Sequence, residues 1–381
     1  MRLAVWTWLA VGVFCAAGTA RAVELAAPLK AIQAVDREGD GHQEALAAWR
    51  QLVEADAAQL PEILAAMDGA NPLAANWLRG AVEAIADREL RNTGKLPAEE
   101  LEKFVLDTSH APRARRLAFE WLTRVDDTAP DRLVPGLLND PSVEFRRDAV
   151  ARLLDEADPL YEAQDFAAAQ PLYEKALGGA RDQDQIDMIA ARLKGMGAEV
   201  DLSTHFGFLL DWKLIGPFDN TEKAGYGVPY PPEEQAEIDH AATYEGKTGS
   251  VTWIDHQSED EYGSVDLNAA LGKNMGAAAY AVTYFQSAAE RPVELRLACT
   301  NAYKLWVNGK LIGQAEVYHA GASLDQYIAQ ATLRPGRNVI LLKVCQNEQT
   351  EEWAQDWSFQ LRVCDAAGTA ILAEDRLTAA E

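Results

Sequence analysis

Apolar positions recur at intervals of three and four along the first half of the chain and at intervals of two along the second. Between about residues 28 and 198 the spacing is helical. Ala45, Ala48, Trp49, Leu52 and Val53 share one helix face, and Leu117, Phe119, Leu122 and Val125 repeat the interval more loosely. Turns such as Gly69-Ala70-Asn71-Pro72 and Asn139-Asp140-Pro141 separate the helices, with Asp140 the expected N-cap and Pro141 the expected first helical residue. Short helices joined in this way predict stacked helical hairpins, each pair burying the next.

Beyond residue 205 the period becomes two. Val293, Leu295, Leu297 and Cys299 alternate with Glu294, Arg296 and Ala298, and Trp357, Phe359, Leu361 and Val363 alternate with Ser358, Gln360 and Arg362. Tyr280 to Phe285 and Trp212 to Phe218 predict two further strands. The sharpest local signal is Leu305-Trp306-Val307-Asn308-Gly309-Lys310-Leu311-Ile312-Gly313. An Asn-Gly pair between apolar strand halves predicts a tight type I′ hairpin. Leu333-Arg334-Pro335-Gly336-Arg337-Asn338 then predicts a turn feeding Val339 to Val344, apolar enough to be buried on both faces. Many short strands separated by Gly, Pro and Asn predict an all-β sandwich of jelly-roll type. The expected fold class is therefore multi-domain: an all-α helical-repeat solenoid over residues 28–200, an all-β jelly-roll sandwich over 205–372, and a tail over 373–381.

Several segments resemble known families. Leu137 to Val150 is similar to the turn and second helix of a HEAT repeat. Asp165 to Leu177 is similar to the second helix of a tetratricopeptide (TPR) repeat, with Ala169 and Ala176 allowing close approach and Phe166 and Tyr173 filling the gap. Pro171 departs from that pattern and predicts a kink. The hairpin at Trp306 to Leu311, followed by Leu333 to Val344, resembles galactose-binding-like jelly rolls, above all the sugar-binding domains of family 2 glycoside hydrolases. The entry segment Trp212 to Asn220, with Tyr230-Pro231-Pro232-Glu233, resembles sandwiches of uncharacterised exported bacterial proteins that follow helical repeats. These resemblances imply a domain that binds glycan or docks to a neighbouring domain; no glycosidase barrel is expected to follow it.

Residues 1–22 read as a targeting segment. Arg2 begins it, Leu3 to Ala17 is almost wholly apolar, and Ala20-Arg21-Ala22 offers a small-x-small cleavage pattern. The apolar run is short for a membrane span, and bulky Phe14 before Cys15 argues against lipidation. The expected mature chain starts at Val23 and is exported, to the periplasm or the cell exterior, with no membrane insertion. Cleavage removes two arginines and no acid, so the formal charge moves from −24 to −26. Such a surface repels phosphate backbones, and no nucleic-acid partner is expected. Of four cysteines, Cys299, Cys345 and Cys364 remain. If strands 338–346 and 357–364 formed a hairpin, Cys345 and Cys364 would lie at opposite ends of it, beyond disulfide reach, so buried free thiols are expected.

Six histidines are scattered, and no His-Glu-x-x-His, Gly-x-Ser-x-Gly, phosphate-binding loop or paired-cysteine spacing is present. No catalytic residue, cofactor or metal is expected. The acidic run Asp255 to Glu261, with Asp266, could supply oxygen ligands to calcium, yet its spacing fits no calcium loop and a solvated loop is the first interpretation. Aromatic residues are the remaining candidates, since indole and phenol rings stack on the apolar faces of sugars. Trp357 is in phase with Phe359 and belongs to the core. Trp306 is in phase with Lys304 on a more polar face, exposed or covered by the helical half. Trp353 lies off any strand in the loop Asn347 to Asp356, and Tyr318 and His319 follow the hairpin. Trp353, Asp356, Trp306, Tyr318 and His319 thus form the candidate ligand-binding set. The expected function is an exported non-catalytic interaction protein, a helical-repeat scaffold with a jelly roll that docks a protein or a glycan. The alternative is a carbohydrate-binding module for which the helical half is a spacer.

Overall fold

The computed structural model describes residues 24–235 and 237–379; the expected signal peptide lies outside the described residues. Helices occupy the N-terminal half and antiparallel sheets the C-terminal half. The chain forms two compact units that part at Asp140 and Pro141. The change of period near residue 200 marks the change of secondary structure, while the helices Val143–Glu162, Phe166–Gly179 and Gln183–Gly195, which precede that change, belong to the second unit with the sheets.

In the first unit the turn chemistry places the helices. Asn71 caps the helix Pro72–Thr93 by accepting from the Ala74 N–H at 2.9 Å, and Gly94 ends it in the left-handed region at φ 70°. Ala45, Ala48 and Leu52 are buried, as their spacing predicts. Asp140 departs from expectation. Its carboxylate takes the Arg115 guanidinium in two hydrogen bonds of 2.8 and 2.7 Å, and Arg115 also donates to the Val105 carbonyl at 2.7 Å. A buried, bidentate, charge-assisted pair outcompetes a single capping bond. The next helix, Val143–Glu162, starts two residues after Pro141 and is capped by Ser142 instead. Pro171 lies inside Phe166–Gly179, which runs on past it as one helical element.

The strands of the second unit are β1 Asp211–Asp219, β2 Thr243–Glu245, β3 Ser250–Thr252, β4 Ile254–Gln257, β5 Val265–Asp266, β6 Ala277–Ser287, β7 Arg291–Cys299, β8 Ala302–Val307, β9 Lys310–Ala315, β10 Tyr327–Leu333, β11 Gly336–Gln346 and β12 Ser358–Cys364. One sheet runs β4-β1-β6-β11-β8-β9, a second β10-β7-β12-β5, and β2 pairs with β3. The two larger sheets share one core. Leu295, Leu297, Phe359 and Leu361 from the smaller meet Leu305, Ile340, Leu342 and Val344 from the larger.

Strand β11 is buried on both faces, but for a reason its apolar run conceals. Ile340, Leu342 and Val344 face the shared core, whereas Leu341 and Cys345 join Ile215, Phe218, Tyr280 and Val282 in a second cluster outside the sheet. Tyr226, Tyr230, Tyr244 and Trp253, from the excursion between β1 and β4, pack over that cluster, and Trp306 packs there too. Lys343 sits on the same outer face with no side-chain exposure. Its ammonium donates to the Glu233 carboxylate at 2.6 Å and to the Val228 carbonyl at 2.7 Å, and the Tyr280 hydroxyl donates to the same carboxylate.

Arg362, at an alternating polar position, is also buried. Asp325 accepts from its Nε and Nη2 at 2.7 and 2.6 Å and from Arg296 at 2.7 Å, and Arg362 donates to the Phe206 and Gly368 carbonyls at 3.1 Å each. Burial opposes ionisation of Asp325, but the bonds from Arg362 and Arg296 hold its carboxyl below the usual range. No β11–β12 hairpin forms: β11 pairs with β6 and β8, and β12 with β7 and β5. Cys345 and Cys364 therefore sit in different sheets. All three described cysteines are free and buried, and burial pushes the Cys345 thiol up to about 12.

Asn308 and Gly309 form the predicted hairpin turn, with φ of 52° and 79°, and Val307 pairs with Lys310. The Asn308 amide also donates to Asn338 Oδ1 at 2.8 Å and its oxygen accepts from the Val339 N–H at 3.0 Å. Asn338, fully buried, caps the Arg334–Gly336 turn from within by donating to both carbonyls. The two signature motifs are thereby clasped together at one end of the sheets. Asn308→Ala loses both the tolerance of positive φ and the clasp, and should destabilise the fold by about 1–3 kcal/mol in urea unfolding. Gly309→Ala loses only the former and should cost about 1–2 kcal/mol.

His205, on the helix Leu202–Phe206, yields a pH dependence. Burial, joined by repulsion from Arg181 and Arg362, depresses its imidazole to about 4. An unfolded histidine titrates near ~6.5, so the unfolded chain takes up this proton first. The contribution is present above ~6.5 and is lost as the pH falls toward the folded value, about 3 kcal/mol in all. Urea unfolding at pH 7 and pH 5 should show a stability loss that is smaller in His205→Phe.

Candidate functional site

Strand register gathers the candidate loops at one end of the sheets. Cys345 pairs with Ala302, Gln346 and Asp219 both pair with Ala277, and Phe359 pairs with Cys299. The segments following β1, β9 and β11 and those preceding β6, β8 and β12 therefore meet at the end opposite the Asn308-Gly309 turn.

His319 is the hinge of this end. It adopts φ of 59°, its backbone N–H donates to Asn301 Oδ1 at 3.3 Å, and its Nε2 lies 2.9 Å from Asn347 Oδ1. The imidazole meets the Trp353 indole edge-on, with centroids 5.4 Å apart at 82°. Trp353 stands on the single turn Glu352–Ala354 and is 65% exposed. Buried Ala354 anchors that turn, its carbonyl accepting from Gln346 Nε2 at 3.0 Å. Tyr318 lies beside His319, accepts from Asn220 Nδ2 at 3.3 Å and carries the Lys223 ammonium 5.0 Å above its ring. Burial pushes its phenol up to about 12, so it is protonated at neutral pH. The Asp356 carbonyl accepts from Asn301 Nδ2 at 2.7 Å, which ties it to the residue that holds His319, and its side chain is exposed.

Trp353, Asp356, Tyr318 and His319 are thus brought together. Trp306 is not among them. It lies within β8, opposite Leu341, and is partly buried against the cluster on the outer face of the larger sheet. Residues that pattern did not single out hold the group in place: Asn220, Asn301 and Asn347 are each buried and each bonded to a neighbouring loop. Beneath them, Lys247 donates to the Met275 carbonyl at 2.8 Å, to Thr221 Oγ1 at 3.3 Å and to the Gly276 carbonyl, and lies 3.4 Å from the Asp219 carboxylate. An ammonium thereby joins the loops that precede β6 and follow β1. Chemically, this end offers an exposed indole face beside carboxylates that can accept hydrogen bonds from hydroxyls.

The acids of the run 255–266 go to separate partners. Asp255 pairs with Lys213, Glu261 with Lys194 at 2.5 Å, Asp260 caps its own turn at Tyr262, and Asp266 caps the helix Leu267–Leu271. Among the described residues no group of three His, Cys, Asp or Glu side chains converges as a metal site.

No family model matches the chain, and no curated protein does. Among solved structures it is similar to a β-glucosidase from Kluyveromyces marxianus, with 10% identity over 78% of this chain and 37% of that one and a TM-score of 0.25. It is also similar to a β-glucuronidase from Faecalibacterium prausnitzii, with 18% identity over 36% and 21% and a TM-score of 0.20. A GH31 α-xylosidase from Xanthomonas citri shows 12% identity over 29% and 14%, with a TM-score of 0.18. The chain matches well under half the length of each, and likeness at this level carries no argument about its fold or activity.

Asn347→Ala removes the partner of the His319 ring while leaving the strands intact. It should lower stability by about 1–3 kcal/mol and hasten proteolytic cleavage between residues 316 and 326. An unchanged cleavage pattern would mean that Asn301 alone suffices to hold the loop.

Proposed function

We propose that this chain is an exported, non-catalytic binding protein in which helical repeats precede a galactose-binding-like jelly roll, and that the loop end around Trp353 takes a carbohydrate. The observation that supports this most is the exposed Trp353 indole, steadied edge-on by His319. An exposed indole on a braced turn presents a flat apolar face on which the C–H face of a sugar can stack. Glu351, Glu352 and Asp356, exposed in the same loop, can accept hydrogen bonds from sugar hydroxyls. One stacking contact contributes ~0.5–1.5 kcal/mol beyond area burial. Binding of a single sugar unit is then weak, about mM to μM in Kd, and useful retention comes from several copies on a polymer. Protein docking is the second reading, supported by Leu46, Leu73 and Leu106, which are exposed on the helical unit.

Retention of the full chain on insoluble polysaccharides tests the first reading. Trp353→Ala should abolish retention while moving the unfolding free energy by no more than about 1 kcal/mol. Trp357→Ala, at a position with 0% exposure, should instead cost about 3–5 kcal/mol. Retention that survives Trp353→Ala, or a wild-type chain retained by no polysaccharide in a broad panel, would leave protein docking as the function.

A further inference from the structure

A separate opening lies at the other margin of the larger sheet. Strand β1 pairs with β6 only from Val282 back toward Ala277, and beyond that point it turns to β4 alone. The β6 edge from Thr283 to Phe285 is thereby left without a strand beside it. The gap is a cavity of about 560 Å³, roofed by the segment from Ile371 to Arg376. That volume lies in the range of small-molecule sites, ~300–1,000 Å³.

The lining states what the cavity would accept. Phe208, Leu209, Phe285 and Ile371 give it an apolar wall. Its two cations are already engaged: Lys213 pairs with Asp255, and Arg376 donates to the Phe208 carbonyl at 2.6 Å, Ser203 Oγ at 2.8 Å and Thr204 Oγ1 at 2.9 Å. Asp211, Asp255 and Asp375 bring three carboxylates to the rim. An anionic head would meet net repulsion there. Thr283 is the one polar side chain at the wall that is more than nine-tenths buried. It is 6% exposed, lines the cavity, and its hydroxyl makes no hydrogen bond to any described residue. The neighbouring Tyr284 hydroxyl, by contrast, is taken by His240. A hydroxyl that opens on the cavity and has no protein partner is free to take a ligand group in place of water.

We infer that this cavity is a binding site for a small uncharged amphiphile, its apolar chain against Phe208, Leu209, Phe285 and Ile371 and its hydroxyl bonded to Thr283. The site is distinct from the Trp353 end and does not depend on carbohydrate binding there. Calorimetric titration of the full chain with 1-octanol tests it, with octanoate as the charged counterpart. Saturable binding of 1-octanol is expected, with octanoate at least about tenfold weaker. Thr283→Val, nearly the same shape without the hydroxyl, should weaken 1-octanol about three- to tenfold. Ala373→Trp, which fills the cavity, should abolish binding. The inference is overturned by no saturable binding below the solubility of 1-octanol, by octanoate binding as tightly, or by a folded Ala373→Trp chain that binds like wild type. Should Ala373→Trp not fold, Thr283→Val decides the matter, and unchanged affinity in that variant overturns it.

Discussion

A lysine ammonium with no exposure, in the middle of the central strand of a sheet, is the constraint around which the second unit is arranged. Lys343 cannot reach water, so Glu233 and the Val228 carbonyl must come to it. Burial lowers its affinity for a proton, while the bond to Glu233 works to keep it charged. To deliver Glu233, the chain makes its long excursion between β1 and β4, and the same excursion lays Tyr226, Tyr230 and Trp253 over the outer face of the sheet. A buried pair of this kind is worth little net compared with apolar residues of the same volume, yet losing one partner typically costs 3–5 kcal/mol. Its value here is positional. It selects one path for the excursion out of many that would cover the same apolar surface.

The same device recurs on the smaller sheet. Arg362 and Arg296 converge on Asp325, which follows the loop that carries Tyr318 and His319. The candidate site is therefore suspended between two anchors. One is the ion cluster outside the smaller sheet, and the other is the set of buried asparagines at the strand ends. Neither anchor touches the Trp353 indole, and so the ring can remain exposed without the loop around it being loose.

Period and turn chemistry made much of this legible in the sequence. The Asn308-Gly309 hairpin follows from local sterics alone, since few residue pairs accept positive φ twice in succession. The alternation of Val293 to Cys299 and of Trp357 to Val363 identified inward faces correctly. What escaped was whatever depends on distant partners. Arg362 stands at a position where alternation predicts solvent, and Lys343 is a charge inside a run read as apolar on both faces; only the partners that distant segments bring make either position a workable interior. Asp140 has the local setting of a helix cap, but Arg115, twenty-five residues earlier, claims it. For the site, Trp353, Tyr318, His319 and Asp356 were recognisable as polar-loop residues, whereas Trp306 was not separable from them because a strand residue's cover is a tertiary matter. Asn220, Asn301 and Asn347 carry no local mark at all, since a buried asparagine and an exposed one read alike.

The placement of the cysteines has a practical reach. Cys299 and Cys364 belong to the smaller sheet and Cys345 to the larger, all of them reduced and shut away from solvent. No disulfide joins the described parts of the chain. Each thiol is also a silent clock. An alkylating reagent can reach it only when the surrounding strands part, so the rates at which the three are labelled report how often each sheet opens and which of them opens first.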